Sequence, residues 1–161
     1  MRREKVLTLG EVEQHAQHIP EIDPSAVMAM LDVIQASAEI QHAIFDILEQ
    51  EYQLSEGKLC AMIILHQQPD GMAPSKLAAR AGVTRATISV MLRRMERDGL
   101  VRLAEDAEDA RSKRVSLTSA GSRLMDEILP AHYLRISKLM GRLDKNEQAE
   151  LSRLLKKVTA G

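Results

Sequence analysis

Residues 74–99 read PSKLAARAGVTRATISVMLRRMERDG, and this stretch decides the fold. Pro74 suits the first turn of a short helix running to about Ala81. Gly82 ends it as a left-handed C-terminal glycine would. Thr84 then caps a second helix, on which Ile88, Met91, Leu92 and Met95 recur at i, i+3, i+4 and i+7 and are expected to face a core. Gly99 terminates that helix. A short helix, a glycine-containing turn and a second amphipathic helix make a helix-turn-helix. The opposite face of the second helix presents Arg85, Ala86, Thr87, Ser89, Val90, Arg93 and Arg97. Its N-terminal part offers small hydroxyl and methyl groups that can approach base edges; its C-terminal part offers arginines that can reach phosphates. Ser75, Lys76, Thr84 and Arg94 join the set expected to touch duplex DNA. The bland alternative is a solvated basic face on a structural helix pair.

The residues that follow favour the sharper reading. Leu100-Val101-Arg102-Leu103 and Arg114-Val115-Ser116-Leu117 read as two strands around a charged, turn-like stretch at 105–112. A basic hairpin directly after a recognition helix can lay arginines along the neighbouring minor groove, whose narrow walls concentrate negative potential. Asp109, Arg111, Ser112 and Lys113 are the wing residues expected to take part. Arg111 would enter the groove, and Asp109 would orient it or a neighbouring arginine; a plain turn aspartate is the alternative for Asp109.

Outside this core the chain is helical. Ser55 caps a helix to about His66, and Pro69-Asp70-Gly71 is a turn. Upstream, Asp23-Pro24-Ser25 starts a long helix with two apolar stripes, one on Met30, Val33, Ile40, Ile44 and Ile47 and another on Val27, Leu31, Ile34, Phe45 and Leu48. Residues 1–22 carry few apolar anchors and read as an extension, partly ordered at most. Downstream, Thr118 opens a helix expected to break near Pro130, and Asp144 with Glu147 forms a capping box for a last helix striped by Leu151, Leu154, Leu155 and Val158. The organisation is thus an extension (1–22), a dimerisation helix (23–54), a winged helix-turn-helix (55–118) and C-terminal dimerisation helices (119–161). The fold class is mainly α with a small β-hairpin wing. The first and last helices carry more apolar surface than one small chain can cover, which points to a homodimer.

Charge agrees, once it is resolved along the chain. The 161 residues sum to −1, but residues 1–71 hold 4 basic and 12 acidic side chains, whereas 72–118 hold 10 and 6. The local field, not the total, steers a polyanion. Aromatic residues make up 2%, namely Phe45, Tyr52 and Tyr133, which is too few for the stacking platforms that bind single strands. No apolar run approaches the roughly 18 residues of a membrane span, and no signal-peptide pattern opens the chain, so a cytoplasmic protein without a membrane partner is expected. No glycine-rich phosphate loop, nucleophile elbow or helical metal-protease motif is present, so no enzyme and no cofactor is expected.

The stretch from Leu77 to Gly121 resembles the MarR family of winged-helix regulators. The resemblance rests on Leu77-Ala78 to the Gly82 turn, on Glu96-Arg97-Asp98-Gly99-Leu100-Val101, and on Asp109-x-Arg111-Ser112 followed by Val115-x-Leu117-Thr118-x-x-Gly121. With the helix order it covers residues 24–160. It implies a homodimer held by the first and last two helices, repression or activation of transcription from a pseudo-palindromic operator, and often a small aromatic or phenolic effector. Val90 and Arg93 depart from the family's usual polar or basic residue and usual acid, which bears on the base contacts.

Sensing has several readings. An effector pocket is expected where the long first helix meets the second and fifth, with Met62 and Leu65 as lining and Tyr52 and His66 as polar handles. Cys60 could make the protein redox-responsive, but it reads more simply as a buried small hydrophobe. His15-x-x-His18 has metal-ligand spacing without a supporting cluster, so no metal site is assigned. An architectural protein coating DNA is a further alternative, disfavoured by the near-neutral total charge.

Overall fold

The computed structural model describes residues 7–105 and 113–160, so Asp109, Arg111 and Ser112 lie outside the described residues. The elements are α1 (Leu9–Ala16), α2 (Pro24–Tyr52), α3 (Glu56–His66), α4 (Pro74–Ala81), α5 (Arg85–Arg97), β1 (Val101–Glu105), β2 (Lys113–Leu117), α6 (Ser119–Met140) and α7 (Lys145–Thr159). The chain divides into two compact units, Met1–Ile47 and Leu48–Gly161.

The first unit holds α1 and most of α2. In the N-terminal segment, α1 opens on a side-chain cap. Thr8 and Glu11 form a capping box: the Glu11 carboxylate accepts from the Thr8 backbone N–H at 2.7 Å, and the Thr8 hydroxyl oxygen accepts from the Glu11 N–H at 3.4 Å. The Thr8 backbone N–H and then the Thr8 hydroxyl, which donates to the same Glu11 oxygen at 2.8 Å, hold the Glu11 carboxyl below the ordinary carboxylate range. Val12 is the buried side chain of this helix. At the start of α2, the Asp23 carboxylate accepts from the backbone N–H and hydroxyl of Ser25 at 2.9 and 2.7 Å. Along α2, Met30, Val33, Ile34 and Ile40 remain exposed.

The second unit contains the winged helix-turn-helix. Its core is made by Leu59, Met62 and Leu65 of α3, Leu77 of α4, Ile88, Leu92 and Met95 of α5, Val101 and Val115 of the hairpin, and Met125 and Ile128 of α6, all at most 2% exposed. Each such side chain contributes about 1.5–3 kcal/mol by leaving water. The two strands pair antiparallel with Val101 opposite Leu117 and Glu105 opposite Lys113. They run one or two residues beyond the expected bounds at their outer ends. The turn before α4 adds a third edge: Met72 and Val115 exchange backbone hydrogen bonds at 3.0 and 2.8 Å. Gly71 makes this approach possible, since its φ is +74° and a Cβ there would sit 2.5 Å from the Val115 carbonyl oxygen.

One expectation fails. Helix α6 does not break at Pro130 but runs unbroken from Ser119 to Met140. Proline in a helix interior costs about 3 kcal/mol through one lost hydrogen bond and a ring clash. Against that, Gly121, Met125, Ile128 and His132 form a buried stripe that spans the proline at spacings of three and four. Packing on both sides of Pro130 therefore outweighs the local penalty. The last helix, α7, has the expected Asp144–Glu147 capping box, and its stripe Leu151, Leu154, Leu155 and Val158 is exposed.

Candidate nucleic-acid interface

The recognition helix α5 is aimed by the turn before it. Gly82 adopts φ +67°, and Val83 donates its N–H back to the Ala78 carbonyl at 3.0 Å, closing α4 in a Schellman turn. Thr84 then caps α5, its hydroxyl oxygen accepting from the Thr87 N–H at 3.1 Å. The result is two helices in contact, with Ile88, Leu92 and Met95 turned inward. Met91, expected in that inward row, is only half-buried. It sits at the rim of a cleft of about 460 Å³ lined by Ser55, Lys58, Ala86, Thr87, Val90, Met91 and Arg94.

The expected DNA-facing residues on these two helices are all exposed: Ser75 and Lys76 on α4, Thr84 at the cap, and Arg85, Ala86, Thr87, Ser89, Val90, Arg93 and Arg94 on α5. The structure adds the state of the hydroxyls. Thr84 and Thr87 share a hydrogen bond at 2.8 Å, and Ser89 donates its hydroxyl to the Arg85 carbonyl at 2.8 Å. With its proton turned inward, Ser89 presents an acceptor outward, which suits a base amino group better than a carbonyl.

Behind α5 the wing is tied down at several points. Glu96 accepts from the Leu103 N–H at 3.3 Å, joining the end of the helix to β1. Across the hairpin, Arg102 donates Nε–H to the Ser116 hydroxyl at 3.0 Å. Arg114 donates to the carbonyls of Asp70 and Gly71 at 3.2 and 3.0 Å, stapling β2 to the turn before α4. Thr118 donates its hydroxyl to the Gly99 carbonyl at 2.6 Å and accepts from the Gly121 N–H at 3.0 Å, latching the start of α6 to the end of α5. Gly121 lies so close to the Leu100 carbonyl that no Cβ fits between them. The Leu117-Thr118-x-x-Gly121 pattern is thereby explained as a backbone junction. Lys113, the one wing residue of the expected set that is described, is exposed and pairs with Glu105 at the end of the ladder opposite Val101 and Leu117.

The sensing residues divide. Met62 and Leu65 are core side chains, 0% and 1% exposed. Tyr52 donates its hydroxyl to Glu127 at 3.4 Å, and His66 Nε2 lies 3.4 Å from Asp126, so both polar groups face α6 carboxylates. Burial and then the Glu127 charge push the Tyr52 phenol up from its ordinary value. Cys60 is half-buried rather than fully enclosed. His132 is 4% exposed, and burial first, the Arg135 charge second, push its imidazole below its ordinary value. Sequence reasoning missed one pair. Lys58 lies 3.0 Å from Asp98 across 40 residues of chain. The available signal was that Lys58 is the lone Lys or Arg between Val6 and Gly71.

Comparison with known proteins supports the same conclusion. The family model described as MarR family matches residues 54–113. The HTH-type transcriptional repressor YetL of Bacillus subtilis is 29% identical over 148 residues, 89% of this chain and 86% of the relative. The transcriptional regulator HosA of Escherichia coli is 32% identical over 124 residues, 77% of this chain and 86% of the relative. The Staphylococcus aureus MepR–DNA complex superposes with a TM-score of 0.70 at 25% identity, covering 86% of this chain and 97% of that one. AbsC of Streptomyces coelicolor, a MarR family regulator, shares the fold with a TM-score of 0.78 at 22% identity, over 85% and 93%. An exposed, hydroxyl- and arginine-bearing helix on a winged scaffold, shared with regulators over most of the chain, has one reading: the chain belongs to the MarR family and is a DNA-binding regulator of transcription.

Proposed function

We propose that the protein is a repressor that binds a pseudo-palindromic duplex operator as a homodimer, in the cytoplasm, and that a small aromatic or phenolic molecule releases it. The observation that carries this reading is the exposed face of α5, with Ala86, Thr87, Ser89 and Val90 toward base edges and Arg85, Arg93 and Arg94 toward phosphates. Ser75, Lys76 and Thr84 extend the contact across the turn. Arg111 of the wing enters the minor groove, oriented by Asp109, with Ser112 and Lys113 beside it. Repression is supported by the likeness to YetL, a transcriptional repressor, and DNA binding by the likeness to MepR in its complex with DNA. The dimer is supported by the exposed apolar stripes of α2 and α7, which a second copy would cover. Among the described residues, no helix is long and apolar enough to cross a membrane.

Release by an effector requires a ligand that prefers one spacing of the two recognition helices. In this proposal Tyr52 and His66 supply the polar edge of the effector site, while Met62 and Leu65 must shift from the core to line it. The reading is tested by sequencing the DNA that co-purifies with the protein from cells. Enrichment of one pseudo-palindromic sequence is expected; uniform coverage of the genome would instead mark an architectural protein. On the enriched duplex, Arg111→Ala should weaken binding and lower the salt slope by about one unit if Arg111 meets phosphate. Unchanged affinity would remove the wing from the interface.

A further inference from the structure

The first turn of α3 grips the recognition helix at two separated points. At the first, Gly57 approaches Met91 so closely that a Cβ on Gly57 would lie 2.9 Å from the Met91 methyl carbon. At the second, Lys58 Nζ lies 3.0 Å from Asp98 Oδ2, and Arg97 Nε reaches the other Asp98 oxygen at 3.9 Å. Lys58 is a firm base for this contact, because its own N–H is donated to the Ser55 cap at 3.4 Å and its side chain is only 19% exposed. Seven residues separate Met91 from Asp98, which is about 10 Å along a helix. Ile88, Leu92 and Met95 seat α5 on the core, and these two further contacts, at its middle and at its end, restrain the tilt that remains.

The consequence for recognition is a lever. With Met91 as pivot, Ala86 lies about 7.5 Å toward the other end of the helix. A movement of about 1 Å at Asp98 then carries Ala86 and its neighbours by roughly 0.7 Å in the opposite sense, enough to spoil hydrogen bonds that tolerate only a few tenths of an ångström. We propose that Lys58 and Asp98 are positioning residues for DNA recognition: their ion pair, acting with the Gly57–Met91 approach, fixes the tilt of α5, and neither residue has to touch DNA. This inference rests on the reading of α5 as the recognition helix.

The sign of one substitution separates this role from simple electrostatics. Asp98 is an acid on the DNA-binding lobe, so Asp98→Asn would strengthen binding if charge alone mattered. A positioning role makes it weaken binding instead. The experiment measures operator affinity of the full-length protein across a salt series, for wild type, Lys58→Met, Asp98→Asn, both together, and the charge swap Lys58→Glu with Asp98→Lys. Each single change is expected to weaken binding about 2- to 5-fold, the scale of a partly exposed ion pair. The double change should be no worse than either single one, the swap should recover affinity, and the salt slope should stay at the wild-type value. Unchanged or tighter binding by Asp98→Asn overturns the proposal. So does a Lys58→Met loss that lowers the salt slope by about one unit and is not recovered by the swap, which would make Lys58 a phosphate contact. Failure of wild type to bind any enriched operator would defeat the reading of α5 itself, a result distinct from either.

Discussion

At the scale of single residues, the positions that matter most here are those where backbone meets backbone. Gly121 is pressed against the Leu100 carbonyl, and Thr118 bridges the same junction through the Gly99 carbonyl. Gly121→Ala should therefore cost on the order of 1–3 kcal/mol, the range for overpacking, read as a lower urea midpoint with an unchanged m-value. A midpoint equal to wild type would mean that α6 can slide off the junction without loss. His132 gives a pH signature. Its burial favours the neutral imidazole, so the folded form binds its proton less readily than the unfolded chain, whose ordinary value is 6.5. Its contribution to stability is complete above that value and is lost as pH falls through the lowered folded value. The urea midpoint of wild type should fall more steeply over that acid range than the midpoint of His132→Gln; parallel curves would show that His132 is not the group responsible. In the sequence the Leu117-Thr118-x-x-Gly121 pattern could be seen but not explained, because the partner of Gly121 is twenty-one residues upstream. The Lys58–Asp98 pair was hidden for the same reason: nothing local in either residue names the other.

At the scale of elements, helix starts and stops were the most legible features. Ser55, Thr84, Thr118 and Asp144 all cap where the sequence places them, and Gly82 takes the left-handed turn, because capping chemistry is decided within four residues. Helix α6 shows where local rules are overridden, and α1 shows where they leave little to read. Helix α1 carries the Thr8–Glu11 capping box in plain view, but its single buried side chain, Val12, leaves almost no apolar period to read. Helix α6 passes through Pro130 because the stripe of Met125, Ile128 and His132 is packed on both sides of it. The α7 stripe of Leu151, Leu154, Leu155 and Val158 has the i, i+3, i+4, i+7 spacing of an interface and is exposed in the single chain. Leu154→Glu should leave the winged unit folded, with its far-UV circular dichroism intact, while shifting sedimentation from dimer toward monomer. A variant that stays fully dimeric at low micromolar concentration would place the interface elsewhere.

At the scale of the whole molecule, the proposed complex has each copy offering one short helix and one wing to a duplex, which is the small end of protein–DNA contact areas. Two copies related by two-fold symmetry double the contact and require a symmetric site. Sequence alone carried the argument this far for the DNA-binding lobe, since a helix-turn-helix is a contiguous motif. It carried it less far for sensing, because a pocket is assembled from residues distant in the chain. Two of the four side chains expected at one, Met62 and Leu65, are buried, and the other two, Tyr52 and His66, are half-buried. The central claim is that two α5 helices of a homodimer read neighbouring major grooves. Hydroxyl-radical footprinting of the wild-type protein on its enriched operator tests it directly. Two protected blocks centred about 10 base pairs apart, on the same face of the duplex, are expected. A single protected block, or unbroken protection along the duplex, would contradict it.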